Sequence, residues 1–184
     1  MNRSRTYLTP NRHEKYMVVD GYNIINAWES LKKFINDDLD FAREKLIHLL
    51  MEYGQYEKYD ITIVFDAQYT NAEENVEEKS KHCKVVYTKE KETADSYIEA
   101  LAGKLQTRLT QVEVATSDGA EQWTIFSQGA LRKPAWELYQ DIKRAKREVH
   151  VAARQYQDQA LVRRSPFSDE QLDALAKLRD DLSK

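Results

Sequence analysis

The chain has 184 residues and a mass of 21.6 kDa, enough for one domain with a substantial core. A mean hydropathy of -0.75 and 32% charged residues fit a soluble protein, and no apolar run approaches the roughly 20 residues that span a bilayer. The single cysteine, Cys83, excludes an internal disulfide, and with four scattered histidines it gives no zinc-ligand spacing.

The first residues, MNRSRTYLTPNRHEK, are polar and basic without an apolar h-region, so 1–15 is expected to be a flexible tail. Residues 16–184 are expected to form one domain, with a core over 16–131 and a C-terminal helical extension over 132–184. Lacking any signal or membrane segment, the protein is expected in the cytoplasm, as a monomer.

Four short, β-branched segments read as buried parallel strands: YMVVD (16–20), DITIVFD (60–66), CKVVYT (83–88) and VEVATSD (112–118). Between the first two, DDLDFAREKLIHLLMEYGQYEKY places Leu39, Ala42, Leu46, Leu49, Leu50 and Tyr53 on one helical face. TADSYIEALAGKLQTRL does the same with Ala94, Ile98, Leu101, Leu105 and Leu109. Strand–helix alternation of this kind predicts an α/β fold with a mainly parallel sheet. After Asp118 the pattern turns helical through AEQWTIFSQGALRK, then a charged helix is expected from about 134 to 159. Ser168, three residues before Gln171, reads as the N-cap of a last helix.

The net charge of -3 is unevenly spread. Between Asp66 and Glu121 lie twelve acidic and seven basic residues, whereas between Arg132 and Arg164 nine basic residues face four acidic ones. That contrast suggests an acidic site beside a polyanion-binding surface, or simply solvated helix faces.

Four aspartates fall where the strands stop. Asp20 and Asp66 end the first two strands, Asp95 opens the helix after the third, and Asp118 ends the fourth. Ligands of open parallel sheets bind at this edge, and neighbouring strands lie about 4.8 Å apart. Carboxylates about 5 Å apart repel by roughly 3 kcal/mol per pair at an effective dielectric near 20, so a cation would have to balance them. Oxygen ligands of this type hold hard ions such as Mg²⁺ or Mn²⁺.

Each aspartate also has a local explanation. Asp20-Gly21 suits a turn, Asp118 with Glu121 a helix cap, and Asp95 a helix start capped by Thr93, while Asp66 can satisfy loop amides. Where haloacid dehalogenase-type phosphatases carry a D-x-D pair after the first strand, this chain reads Asp20-Gly21-Tyr22, and the glycine-rich phosphate loops and the G-x-S-x-G elbow are absent. Metal-assisted phosphodiester hydrolysis remains.

The motifs VVDGYNII, IVFDA, TKEKETADSYIE and ATSDGAEQWTIFSQGA resemble the NYN-domain nucleases, a PIN-like group, and most closely their YacP-like branch. The resemblance runs from about Tyr16 to Arg147. It implies a PIN-like three-layer α/β/α fold and a Mg²⁺- or Mn²⁺-dependent endoribonuclease that cleaves mRNA on the translating ribosome. It also implies Asp20 and Asp95 as principal metal ligands, with Asp118 and Asp66 completing the acidic cluster and Asn23 orienting a ligand or a bound water. A non-catalytic RNA- or ribosome-binding adaptor on the same fold is the alternative.

Supporting residues are open to two readings each. Arg132, Lys133, Arg144, Arg147 and Lys89 can contact RNA phosphates or serve as solvated or capping charges. Tyr22 can stack on a base, whereas Trp28 and Trp123 fit a core better. Thr116 and Ser117 can hydrogen-bond a ligand carboxylate or the scissile phosphate. Glu121 suits a cap, and His48 and Cys83 read as structural.

Overall fold

A computed structural model describes residues 14–66, 75–89, 92–107, 110–117, 129–164 and 167–182. Of the expected tail over 1–15, residues 1–13 lie outside the described residues, as do the helical reading of 120–128, Asp118, Glu121 and Trp123. Glu14 and Lys15 already belong to the first strand. The chain falls into two compact units, Met1–Ala145 and Lys146–Lys184.

In the first unit the elements follow as β1 (Glu14–Asp20), α1 (Gly21–Ala27), α2 (Glu29–Lys32), α3 (Leu39–Glu57), β2 (Tyr59–Phe65), β3 (Asn75–Ser80), β4 (Cys83–Tyr87), α4 (Ala94–Leu105), β5 (Thr110–Thr116) and β6 (Leu131–Pro134). Helix α5 (Ala135–Arg164) starts here and carries residues of both units. The sheet order is β3-β4-β2-β1-β5-β6, and every pairing is parallel except β3 with β4. This is the expected α/β architecture, a PIN-like fold.

The four apolar runs became the four inner strands because both of their faces are covered. Met17, Val19, Ile61, Ile63, Phe65 and Val85 point into a core with α1, α3 and the start of α5. Val18, Val64, Val112 and Val114 point the other way, onto Ala94, Ile98 and Ala102 of α4. Helix α3 is capped by Asp38, which accepts from the Phe41 N–H at 2.9 Å, and it buries Ala42, Leu46, Leu50 and Tyr53 as the spacing predicts. Cys83 is buried, and burial pushes its thiol up to about 11, in keeping with a structural role.

Two strands were not foreseen. NVEEKS forms the antiparallel edge β3, where Glu78 pairs with Lys84 and Lys79 with Glu77 and Glu44. LRKP forms β6 on the opposite flank, which corrects the expectation that the helical stretch runs on to Lys133. The physical reason is Gly129, whose φ of 81° turns the chain so that it pairs parallel with β5. Edge strands bury only part of their side chains, so neither segment carries an apolar pattern.

Pairing of Ala115 with Lys133 puts the lysine on the α3/α5 face. There its Nζ lies 2.7 Å from Asp141 Oδ2 and 3.4 Å from Glu113 Oε2. Tyr59 Oη donates to Glu113 at 3.0 Å, and Arg144 Nη2 reaches Asp141 at 2.9 Å. Burial pulls the Lys133 pKa down, but the hydrogen bond to Asp141 and the Glu113 charge outweigh it and leave the group above the usual lysine range.

In the second unit, α6 (Asp169–Leu182) has the expected capping box. Ser168 Oγ accepts from the Gln171 N–H at 3.4 Å, and the Ser168 N–H donates to Gln171 Oε1 at 3.0 Å.

Removing one member of a buried ion cluster leaves the others uncompensated. Lys133→Met is therefore expected to cost about 3 kcal/mol of stability, because it leaves Glu113 and Asp141 facing each other. Urea unfolding of the parent and the variant measures it, and an unchanged midpoint would remove the cluster from the forces holding β6 and α5.

Candidate metal and catalytic site

Asp20 is the last residue of β1, in register with Val64 of β2, two positions before Asp66. Helix α1 begins at the next residue, so there is no loop between strand and helix. Asp20 is consequently a strand end and a helix cap at once. Its Oδ1 accepts from the Asn23 backbone N–H at 3.0 Å, and its Oδ2 accepts from Asn23 Nδ2 at 2.7 Å. The aspartate is only 4% exposed.

The residue after it has to be glycine. A Cβ on Gly21 would meet the ring of Phe65 at 2.2 Å, well inside contact distance. Phe65 closes β2 just before Asp66, so this close approach draws the ends of β1 and β2 together. Tyr22 packs edge-on against the same ring, with centroids 5.1 Å apart, and Arg43 lies 5.8 Å over the tyrosine. That leaves Tyr22 half-buried against the core. Trp28 is core, as expected, and its Nε1 donates to the Ala135 carbonyl at 2.8 Å.

Electrostatics ties the other aspartates to Asp20. Burial raises its pKa most, the two bonds from Asn23 act against that, and the nearby charges of Asp95 and Asp66 raise it further; the net shift is upward. Asp95 stands exposed in the first turn of α4, behind the Thr93 cap, and Asp66 is half-buried just past β2. The geometry thus brings Asp20, Asp66 and Asp95 to one edge of the sheet. Asp118 lies outside the described residues, directly after Ser117. That serine, at the exposed end of β5, donates its hydroxyl to Asn23 Oδ1 at 2.8 Å. Thr116 is fully buried.

Among the described residues no three histidine, cysteine or carboxylate groups converge as a ready-made ligand set. The donor chemistry still fits a hard divalent cation. Asp20, Asp66 and Asp95 offer carboxylate oxygen, and a cation beside them would relieve the repulsion that burial strengthens.

Lys133 and Arg132 do not gather there. Lys133 is held in its ion cluster on the α3/α5 face, and Arg132, paired with Val114, lies half-buried on the opposite face. Lys89 is exposed just beyond β4. Arg144 pairs with Asp141, and Arg147 is exposed farther along α5. The sequence did not reveal two contributors. They are the Phe65 ring that dictates Gly21 and the link from Ser117 to Asn23, both of which join residues far apart in the chain.

Three comparisons bear on this arrangement. The family model described as YacP-like NYN domain matches residues 17–180. The uncharacterized protein YacP of Bacillus subtilis strain 168 is 39% identical over 163 residues, 89% of this chain and 95% of its own length. A crystal structure of Rae1 (YacP) from Bacillus subtilis superposes with a TM-score of 0.68 at 37% identity, over 91% of this chain and 97% of that one. A crystal structure of a mutant of that same protein gives 0.69 at 40% identity, over 78% and 84%.

The raised Asp20 pKa has a definite sign. Between the ordinary value of 3.8 and the raised one, the folded state holds a proton that the unfolded chain has released. This contribution is complete below 3.8 and is lost as pH rises through the folded pKa, so ionised Asp20 burdens the metal-free fold at neutral pH. Asp20→Asn keeps an acceptor for the Asn23 N–H. In EDTA it is expected to be more stable than the parent at pH 7, with the difference shrinking towards pH 4. Urea midpoints across that range test it, and a variant less stable at pH 7 would show that the Asn23 bonds outweigh burial.

Proposed function

The chain belongs to the YacP-like NYN domain family, and from that premise we propose that it is a divalent-metal-dependent endoribonuclease that cuts mRNA in association with the translating ribosome. The observation that carries the reading is a buried aspartate at the C-terminal edge of a parallel sheet, with two further aspartates acting on it. NYN domains are nuclease-type domains, and this edge is where such a sheet binds its ligand.

Asp20, Asp66 and Asp95, with Asp118, are the residues that would hold Mg²⁺ or Mn²⁺. When bound, such an ion supplies an activated water and neutralises charge on the scissile phosphate and the leaving oxygen. The chain's own part is to keep Asp20 nearly free of water and fixed in direction by Asn23. The strand ends then present a negative edge that RNA, itself a polyanion, approaches only with cations between them.

Exposed cations elsewhere support contact with RNA phosphates. Arg147 and Lys89 are exposed, and Arg144 retains solvent access despite its pair with Asp141. Cytoplasmic mRNA is the substrate proposed, and no described helix is long and apolar enough to cross a membrane. A non-catalytic adaptor on the same fold would have no use for a carboxylate buried beside two like charges.

Asp20→Asn and Asp95→Asn are each expected to lower RNA cleavage at least about a hundredfold while far-UV circular dichroism stays that of the parent. The assay uses purified protein, translating ribosomes and a reporter mRNA. Translation itself needs Mg²⁺, so the variants rather than chelation give the clean comparison. Cleavage at the parental rate by both variants would overturn the catalytic assignment of Asp20 and Asp95, and a parent that does not cut would leave the adaptor. Charge reversal at Arg147 is expected to weaken cosedimentation with ribosomes, most at low salt and less as salt screens the contact. An unchanged sedimentation profile removes that residue from the contact.

A further inference from the structure

The described polar groups around Asp20 form a directed chain of hydrogen bonds. Ser117 Oγ donates to Asn23 Oδ1 at 2.8 Å, with a longer contact of 3.4 Å to the Asn23 carbonyl. Asn23 then donates twice to Asp20, from its backbone N–H and from Nδ2. The chain joins the ends of β5 and β1, 94 residues apart in sequence.

An amide side chain has one donor end and one acceptor end, and a carboxylate only accepts. The 2.7 Å contact to Asp20 therefore requires Nδ2 on that side, which turns Oδ1 towards Ser117. The terminal torsion of an amide or a carboxylate is soft and roughly two-fold, so nothing intrinsic to either side chain enforces this choice. The Asp20 carboxylate, which only accepts, decides which end of the amide faces it, and the Ser117 hydroxyl, 2.8 Å from Oδ1 on the far side, holds the amide plane against rotation about that torsion. If the amide flipped, Oδ1 would face Asp20 Oδ2, acceptor against acceptor.

We infer that Ser117 is a positioning residue: by anchoring Oδ1 it holds the plane of the Asn23 amide, and with it the plane of the Asp20 carboxylate that would meet the cation. This rests on the nuclease reading for its purpose, but the relay itself is a property of the metal-free protein. Ser117 is exposed, so removing its hydroxyl takes away no core packing. Outer partners of this kind shift metal affinity about 10- to 100-fold, and the position at the surface argues for the lower end. Threonine carries the same donor, and alanine carries none.

The first test is NMR of the ¹⁵N-labelled, metal-free protein. In the parent the two Asn23 Nδ2 protons should be well separated and slow to exchange with water. Ser117→Ala should average them and speed exchange, and Ser117→Thr should restore the parental pair. The second test titrates Mn²⁺ and reads binding by water-proton relaxation. Ser117→Ala should bind about tenfold more weakly, and Ser117→Thr as the parent does. The double variant Ser117→Ala/Asn23→Ala should be no weaker than Asn23→Ala alone, because both changes cut one chain.

Asn23 amide signals unchanged in Ser117→Ala would overturn the relay, and so would losses in Mn²⁺ affinity that simply multiply in the double variant. Cleavage of RNA by Asp20→Asn reports separately on the nuclease reading. Should that variant cut like the parent, the function fails while the amide signals still decide the role of Ser117.

Discussion

The structure turns on one carboxylate kept out of water at the end of a central strand. β1 has β2 on one side and β5 on the other, and α1 starts directly from its last residue, so Asp20 has almost no route to solvent. Burial penalises the charged form, and the two bonds from Asn23 offset only part of that, since the pKa stays raised. Two more aspartates push the same way. Such a group is held in place because the surrounding structure leaves it no alternative, and groups of this kind concentrate at functional sites.

What leaves it no alternative is apolar. Gly21 admits the Phe65 ring, Phe65 stacks on Tyr87 at 5.6 Å, and Tyr22 closes over the other side. Ile24 and Ile25 of α1 are fully buried, and Trp28 fastens the end of that helix to the first residue of α5. Strand end, helix cap and core packing are therefore one unit, and the direction of Asp20 cannot be changed without moving side chains that have nowhere to go.

Much of this was legible in the sequence, for identifiable reasons. β1, β2, β4 and β5 are buried on both faces, so each reads as a β-branched run, and the aspartates at their ends stand out against it. Thr93 and Ser168 announce their helices by local chemistry that needs no tertiary context. β3 and β6 were hidden because edge strands gain their pairing from a neighbour already in place, and NVEEKS and LRKP carry no pattern of their own. Lys133 shows the same limit. A cation after a small-residue bend looks like a phosphate contact until β6 is paired with β5 and the lysine is turned onto Glu113 and Asp141. Asp20 was ambiguous between cap and ligand, and the two roles turn out not to compete, because capping consumes one acceptor site on each oxygen and a carboxylate has about four.

The two charged clusters of the first unit differ in a way that bears on function. Around Lys133 the charges alternate in sign: Glu113 and Asp141 against Lys133 and Arg144, with Tyr59 donating to the glutamate. That cluster is neutralised from within, as a buried network must be if it is to hold structure together. At the end of β1, among the described residues, Asp95 and Asp66 act on Asp20 with charge of its own sign. The edge where a parallel sheet meets its ligand thus holds a buried aspartate with like charges acting on it. Stability alone gives no reason for that difference, since replacing one carboxylate by an amide would remove the burden and keep the cap. A cation bound at that edge would relieve the repulsion on Asp20, and this is the part that the proposed function gives to the arrangement.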